Sequence, residues 1–143
     1  MTPDLMFTLA NMVAAAAWLL LATAPRQRWV SVVTRLIVPG LFAMVYVGIA
    51  AATLSGSDGG FSSLDAVARL FEHRWLLTAG WLHYLAFDLL LGTWEVRDAQ
   101  RRGVPHLLVV PCLLLTFMLG PAGWLLYTVL SRSRYPHADH CTL

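Results

Sequence analysis

His83 and Asp88 lie inside Trp81–Asp98 (WLHYLAFDLLLGTWEVRD), within a segment otherwise apolar enough to cross a membrane. Placing an aspartate at the centre of a bilayer costs about 2.5–3.5 kcal/mol on insertion scales, so a chain that keeps one there usually uses it. A carboxyl and an imidazole are the residue types of a proton donor and acceptor. Five residues of helix set them about 140° apart around the axis, so they form no preformed dyad. They border one cavity only if their helix is central.

Helical spacing gives them neighbours. Trp81, Tyr84, Asp88 and Glu95 share a stripe, and Tyr84 and Asp88, one turn apart, are within hydrogen-bonding reach. Cys112, Thr116, Gly120, Gly123 and Tyr127 fall on one face of the last apolar segment, a small and polar stripe that allows close helix approach. Thr8, Asn11, Ala15 and Trp18 do the same in the first segment, and Gly48 and Ala52 in the second. These stripes put Asn11, Tyr46, His83, Tyr84 and Thr116 at similar depth in a bundle interior. Asn11 reads as inter-helix glue. A ligand pocket is expected between the third and fourth segments, walled by Trp81, Tyr84, Asp88, Thr116 and Gly120, with a break at Gly120–Gly123 widening it. The plainer alternative is a packing kink at Pro121, with Asp88 a structural partner to a neighbouring helix. Glu95, Asp98, Arg101 and Arg102 read as a solvated interfacial cluster, in which Asp98 and Arg102, one turn apart, contribute about 0.3 kcal/mol.

The elements behind these residues follow from composition. The chain has 143 residues, 58% hydrophobic and 13% charged. A soluble domain carries roughly a quarter charged residues, so this is read as an integral membrane protein. Leu5–Ala24, Leu36–Leu54, Trp75–Thr93 and Leu107–Leu130 are each near the roughly 20 residues a spanning helix needs. The expected fold is all-α: one domain over 1–143, a four-transmembrane-helix bundle with a flexible tail from 131. Ala22-Thr23-Ala24 resembles a signal-cleavage site, but no basic residue precedes the first segment and Pro25 follows the cut, so the segment is read as a retained helix.

The second connection opens with the flexible run Ser55–Gly60. Ser62 with Asp65 then reads as a capping box, starting a short amphipathic helix with Leu64, Val67, Ala68 and Phe71 on its apolar face. Arginines orient the bundle. Arg26, Arg28, Arg35, Arg97, Arg101 and Arg102 flank connections one and three; Arg69, Arg74, Arg132 and Arg134 fall on the other side. The bias places both termini outside. All ten basic residues are arginine, which with the Ala/Leu/Gly bias suggests a GC-rich bacterial gene and an inner (cytoplasmic) membrane.

Several classes are disfavoured. The net charge of +2 with no basic stripe does not suggest nucleic-acid binding. Among His73, His83, His106, His137 and His140, no pair sits at one level of the bundle, against bis-histidine haem. His137-Ala-Asp-His140-Cys141 groups ligand types but lacks a second cluster, a weak metal signal. Cys112 and Cys141 fall at opposite ends of the last helix, too far apart for a disulfide. Without a nucleotide-loop or zinc-helix motif, no cofactor and no metal are expected.

Trp81-Leu-His83-Tyr84-Leu-Ala-Phe-Asp88, then Gly92, Trp94, Asp98, Gly103-Val-Pro-His106, Pro111-Cys112-Leu113, Thr116-Phe117 and Gly120-Pro121-Ala-Gly123, resemble the abscisic-acid-deficient-4-like membrane family. The resemblance covers about residues 75–130, and the first two helices match in hydropathy. It implies a small four-helix membrane protein linked, in plants, to the carotenoid chemistry of neoxanthin synthesis. Converting an epoxy-carotenoid to an allene needs an acid on the epoxide oxygen and a base for a carbon-bound proton. His83 and Asp88 are the types for that, in either order. Two function classes follow: an isomerase or related enzyme acting on a carotenoid or other isoprenoid lipid, or a non-enzymatic membrane subunit that binds pigment or lipid or supports complex assembly.

Overall fold

A computed structural model describes residues 1–134, and helices account for nearly all of them. Helix α1 (Pro3–Thr23) starts where Thr2 Oγ1 accepts a bond from the Leu5 amide at 3.3 Å, with Pro3 at its first position and Asp4 in its first turn. Such a start pairs one orphan amide and fixes φ in advance. After Ala24–Gln27 the chain re-enters a helix: α2 (Arg28–Val32), a π-helical turn (Val33–Ile37) and α3 (Val38–Thr53) run on without a break. A π turn leaves backbone groups out of the α register. The Thr93 hydroxyl, which donates to Leu89 O at 2.8 Å, also lies 3.4 Å from Thr34 O within that turn.

Helix α4 (Leu64–Glu72) is the amphipathic helix expected in the second connection. Its cap is Ser63, whose Oγ accepts from the Ala66 amide at 3.1 Å, not Ser62 with Asp65. Its buried face is accordingly Ala66 and Leu70, with Phe71 alongside; Leu64, assigned to the apolar face, is 84% exposed. Helix α5 (Arg74–Arg102) is the axis of the fold and packs against α1, α3, α4, α6 and α7. At 1.5 Å per residue its 29 residues extend about 43 Å, beyond a hydrocarbon layer of about 30 Å. It ends in a left-handed Gly103, φ 70°, a conformation open to glycine at little cost.

The last apolar segment departs from expectation. Instead of one span over 107–130, there are two helices, α6 (His106–Leu119) and α7 (Pro121–Arg134), of 14 residues each. Each extends only about 21 Å, short of the hydrocarbon thickness. The chain reverses at Gly120, whose φ of 33° and ψ of −86° lie outside helical space. Pro121 cannot donate to the Phe117 carbonyl, so the α6 ladder stops there. Gly123 consequently packs on the Thr116 backbone, and Tyr127 reaches Asp98 near the end of α5. The result is a helical hairpin entering from the α5–α6 end and returning to it.

Among the described residues, three helices are long and apolar enough to cross a membrane: Pro3–Thr23, Arg28–Gly56 and Arg74–Arg102. A fourth helix of that length, as the four-span expectation requires, is not among them. The N-terminus and Arg134 lie at opposite ends of the bundle. The tail expected from residue 131 is helical through Arg134; His137, His140 and Cys141 lie outside the described residues.

Candidate functional site

Around α5 the sequence-marked residues divide between two faces. Towards α6 and α7, Asp88, Glu95 and Asp98 form a seam of carboxyls, all buried. Asp88 rests against the reversal: a Cβ at Gly120 would lie 2.6 Å from its Oδ1. Thr116 Oγ1 donates to Glu95 Oε1 at 2.8 Å, and Glu95 is 0% exposed. Asp98 Oδ2 accepts from Tyr127 Oη at 2.8 Å and from Arg102 Nε at 2.7 Å. Among the described residues, Asp88 Oδ2 and Glu95 Oε2 have no hydrogen-bond partner, an expensive state for buried polar atoms.

Each expected wall of a ligand pocket here has a packing duty. Tyr84 Oη donates to Met118 O at 2.9 Å and lies 3.4 Å from Phe117 O, pairing carbonyls that the Pro121 break leaves without amides. Gly120 makes room for the Asp88 carboxylate, and Gly123 lets the α7 backbone meet Thr116. The glycines thus give close approach rather than the widened cavity expected of them. Trp81 Nε1 donates to Asn11 Oδ1 at 3.2 Å, and its ring packs on Phe7 and Tyr84. The glue reading of Asn11 fits this bond.

Glu95 and Asp98 correct another expectation, since neither is part of a solvated surface cluster. Their stripe was visible, because Glu95 is two helical turns beyond Asp88. What hid their burial was the fall in hydropathy after Thr93, which suggested the span ended there; α5 runs nine residues further, under the returning α7.

His83 lies on the other face. It is exposed towards α3, its ring stacked on Phe87 at 4.6 Å between centroids and 5.6 Å from Tyr46. It lies away from the Asp88 seam, so the structure does not bring the two together. His83 and Tyr46 instead border a cavity of about 280 Å³ between α3, α4 and α5. Its other walls are apolar, with Phe61, Leu70 and Phe71 supplied by α4 and the loop before it. A Cβ at Gly80 would meet the Phe71 ring at 2.6 Å, so this glycine lets α4 lie flat on α5. The sequence placed Tyr46 at the depth of His83 but gave it no part in a site.

No group of three metal-ligating side chains occurs among the described residues. The comparison with protein families matches residues 5–127 to the family described as ABA DEFICIENT 4-like. No curated protein and no solved structure matches the chain. The matched region is most of the sequence, and the chain belongs to the ABA DEFICIENT 4-like family.

Proposed function

We propose that this ABA DEFICIENT 4-like protein is a membrane protein that binds the end group of a carotenoid or other isoprenoid lipid in the cavity beneath α4. The observation that carries the reading is the cavity itself: apolar and aromatic walls with two polar groups, His83 and Tyr46, at one border. That is the usual make-up of a small-molecule site. About 280 Å³ is suited to a ring and a few carbons, not to a forty-carbon chain, so the polyene would run out along α3 and α5 into lipid.

The orientation belongs to the same proposal. With three crossings, Arg26, Arg28, Arg35, Arg97, Arg101, Arg102, Arg132 and Arg134 gather at one end, and only Arg69 and Arg74 at the other. The eight-to-two distribution supports a cytoplasmic first end and an N-terminus outside.

An isomerase is the second reading, favoured by the closeness of His83 and Tyr46. Either can donate a proton while the other accepts one. Protonating an epoxide oxygen as its C–O bond opens, and removing a carbon-bound proton, rearranges the substrate without change of formula. In this reading His83 keeps its catalytic role, Tyr46 takes the place expected for Asp88, and Asp88 holds the hairpin.

Purified protein titrated with a 5,6-epoxy-carotenoid, followed by absorption and by chromatography of the extracted pigment, tests both readings. Binding that disappears in Ala50→Trp, which fills the cavity from α3, supports the site; binding unchanged in Ala50→Trp refutes it. A rearranged product that is lost in His83→Ala and Tyr46→Phe assigns the enzyme. Binding without a product assigns the pigment-binding subunit.

A further inference from the structure

The arginines of this chain differ in what they meet. Arg74 pairs with Asp4, Arg102 with Asp98, and Arg69 Nε donates to Asp58 O at 3.3 Å. Arg26, Arg28, Arg35 and Arg97 have neither an ion pair nor a hydrogen-bond acceptor among the described residues. Those four wall one cavity of about 260 Å³ at the arginine-rich end of the bundle. They come from separate places: the α1–α2 connection, the first turn of α2, the π turn and α5. No acidic residue lines the cavity, and Ser31 and Gln100 add polar groups.

Arginines at the end of a spanning helix ordinarily point into water and face a headgroup layer generally. This cavity differs in that four border one hollow, whose lining also includes Leu21, Val30 and Val96, each buried. Four like charges around a hollow at a membrane boundary repel, with less screening than in bulk water. An oxyanion in the hollow removes that repulsion. The planar guanidinium fork suits phosphate oxygens, donating to two of them at once. The walls are also fixed. Gln100 Nε2 donates to Pro25 O at 2.7 Å across the rim, and the Thr93 hydroxyl joins α5 to the π turn that carries Arg35.

We propose that this cavity is a phosphate-oxyanion site filled by the headgroup of an anionic phospholipid. Leu36 and Ile37, the two residues after Arg35 on the same helix, are apolar and more than half exposed. They give acyl chains an apolar path once the phosphate is seated. A free phosphate would use the arginines but not that path.

The test uses the full chain in neutral detergent. Phosphatidylglycerol, phosphatidylcholine and inorganic phosphate are added separately, with retained lipid read by native mass spectrometry and protection by thermal unfolding. Wild type is expected to keep phosphatidylglycerol in preference to phosphatidylcholine, and Arg28→Gln/Arg97→Gln to lower that retention roughly thirtyfold. Arg35→Lys, which keeps the charge but loses the fork, should give an intermediate loss. Arg132→Gln, on α7 and outside the cavity, should change nothing. If the double variant retains phosphatidylglycerol like wild type, or if Arg132→Gln loses as much, the site is overturned. If inorganic phosphate protects as well as phosphatidylglycerol, and Arg28→Gln/Arg97→Gln removes that protection, the lipid source is overturned. A double variant that fails to fold leaves the decision to Arg35→Lys, whose equality with wild type counts against the site.

Discussion

Tyr127 and Asp98, 29 residues apart in sequence, are joined by a 2.8 Å hydrogen bond that brings α7 back beside α5. The phenol is 0% exposed and its ring meets Trp94 edge-on at 5.8 Å. Tyr127→Phe keeps the ring and removes the donor. Asp98 then retains Arg102 alone, and the loss should be about 1.5–3 kcal/mol, the range for a hydrogen bond to a charged group. Thermal unfolding in detergent checks it; a melting temperature equal to that of wild type would mean the hairpin does not depend on this bond.

The glycines divide into those that permit contact and those that do not. Gly120→Ala forces a side chain into positive φ and towards Asp88, at 2.6 Å from Oδ1. Gly123→Ala drives a methyl into the Thr116 backbone, which cannot move aside as a side chain can. Both should destabilise by about 1–3 kcal/mol. Gly48→Ala, with nothing within 4 Å of the added methyl, should be neutral or stabilise by up to about 0.5–1 kcal/mol. Comparing the three melting temperatures checks the ordering. Equal values at 120 and 48 would refute the close approach at the reversal.

The sequence made some of this legible and hid the rest for physical reasons. The stripe Cys112, Thr116, Gly120, Gly123 and Tyr127 is buried throughout, as its composition suggested. Membership of a face survives a change of path, but spacing along one straight helix cannot report that the path reverses. Pro121 signalled a kink; only the Gly120 dihedrals together with the Tyr127–Asp98 bond make it a hairpin. Hydropathy marked the core of α5 and missed its last nine residues, because carboxyls covered by another helix score like carboxyls in water. The separation of His83 from Asp88 was already implicit in their angle around the axis. Tyr46 reaches His83 through the packing of α3 on α5, which no local pattern encodes.

The reversal also makes a topological prediction. With Cys112 and Cys141 replaced by serine, single cysteines at Gln27, Gln100 and Ser133 should label with an impermeant reagent in inverted vesicles and not in intact cells. Thr2→Cys and Gly59→Cys should label from the other side. Ser133→Cys labelling together with Gly59→Cys would require α6 and α7 to cross as one span, and the hairpin would be wrong.

Glu95 offers the sharpest test of the carboxyl seam. Its Oε1 accepts from Thr116, while its Oε2 is buried without a partner. Glu95→Gln keeps the shape and leaves Oε1 as an amide oxygen that still accepts from Thr116. If the native group is charged, the substitution removes a buried charge that no ion pair offsets; if it is neutral, the exchange is nearly isosteric. In both cases stability should hold or rise, because breaking a pair is costly only when a partner is left uncompensated. Thr116→Val, in contrast, leaves Oε1 as well as Oε2 without a donor and should cost about 1–3 kcal/mol. Parallel unfolding of the two variants checks this. A loss in Glu95→Gln as large as in Thr116→Val would show that the carboxylate itself holds a further group in the seam, since the amide matches its volume and its bond to Thr116 and lacks only the charge.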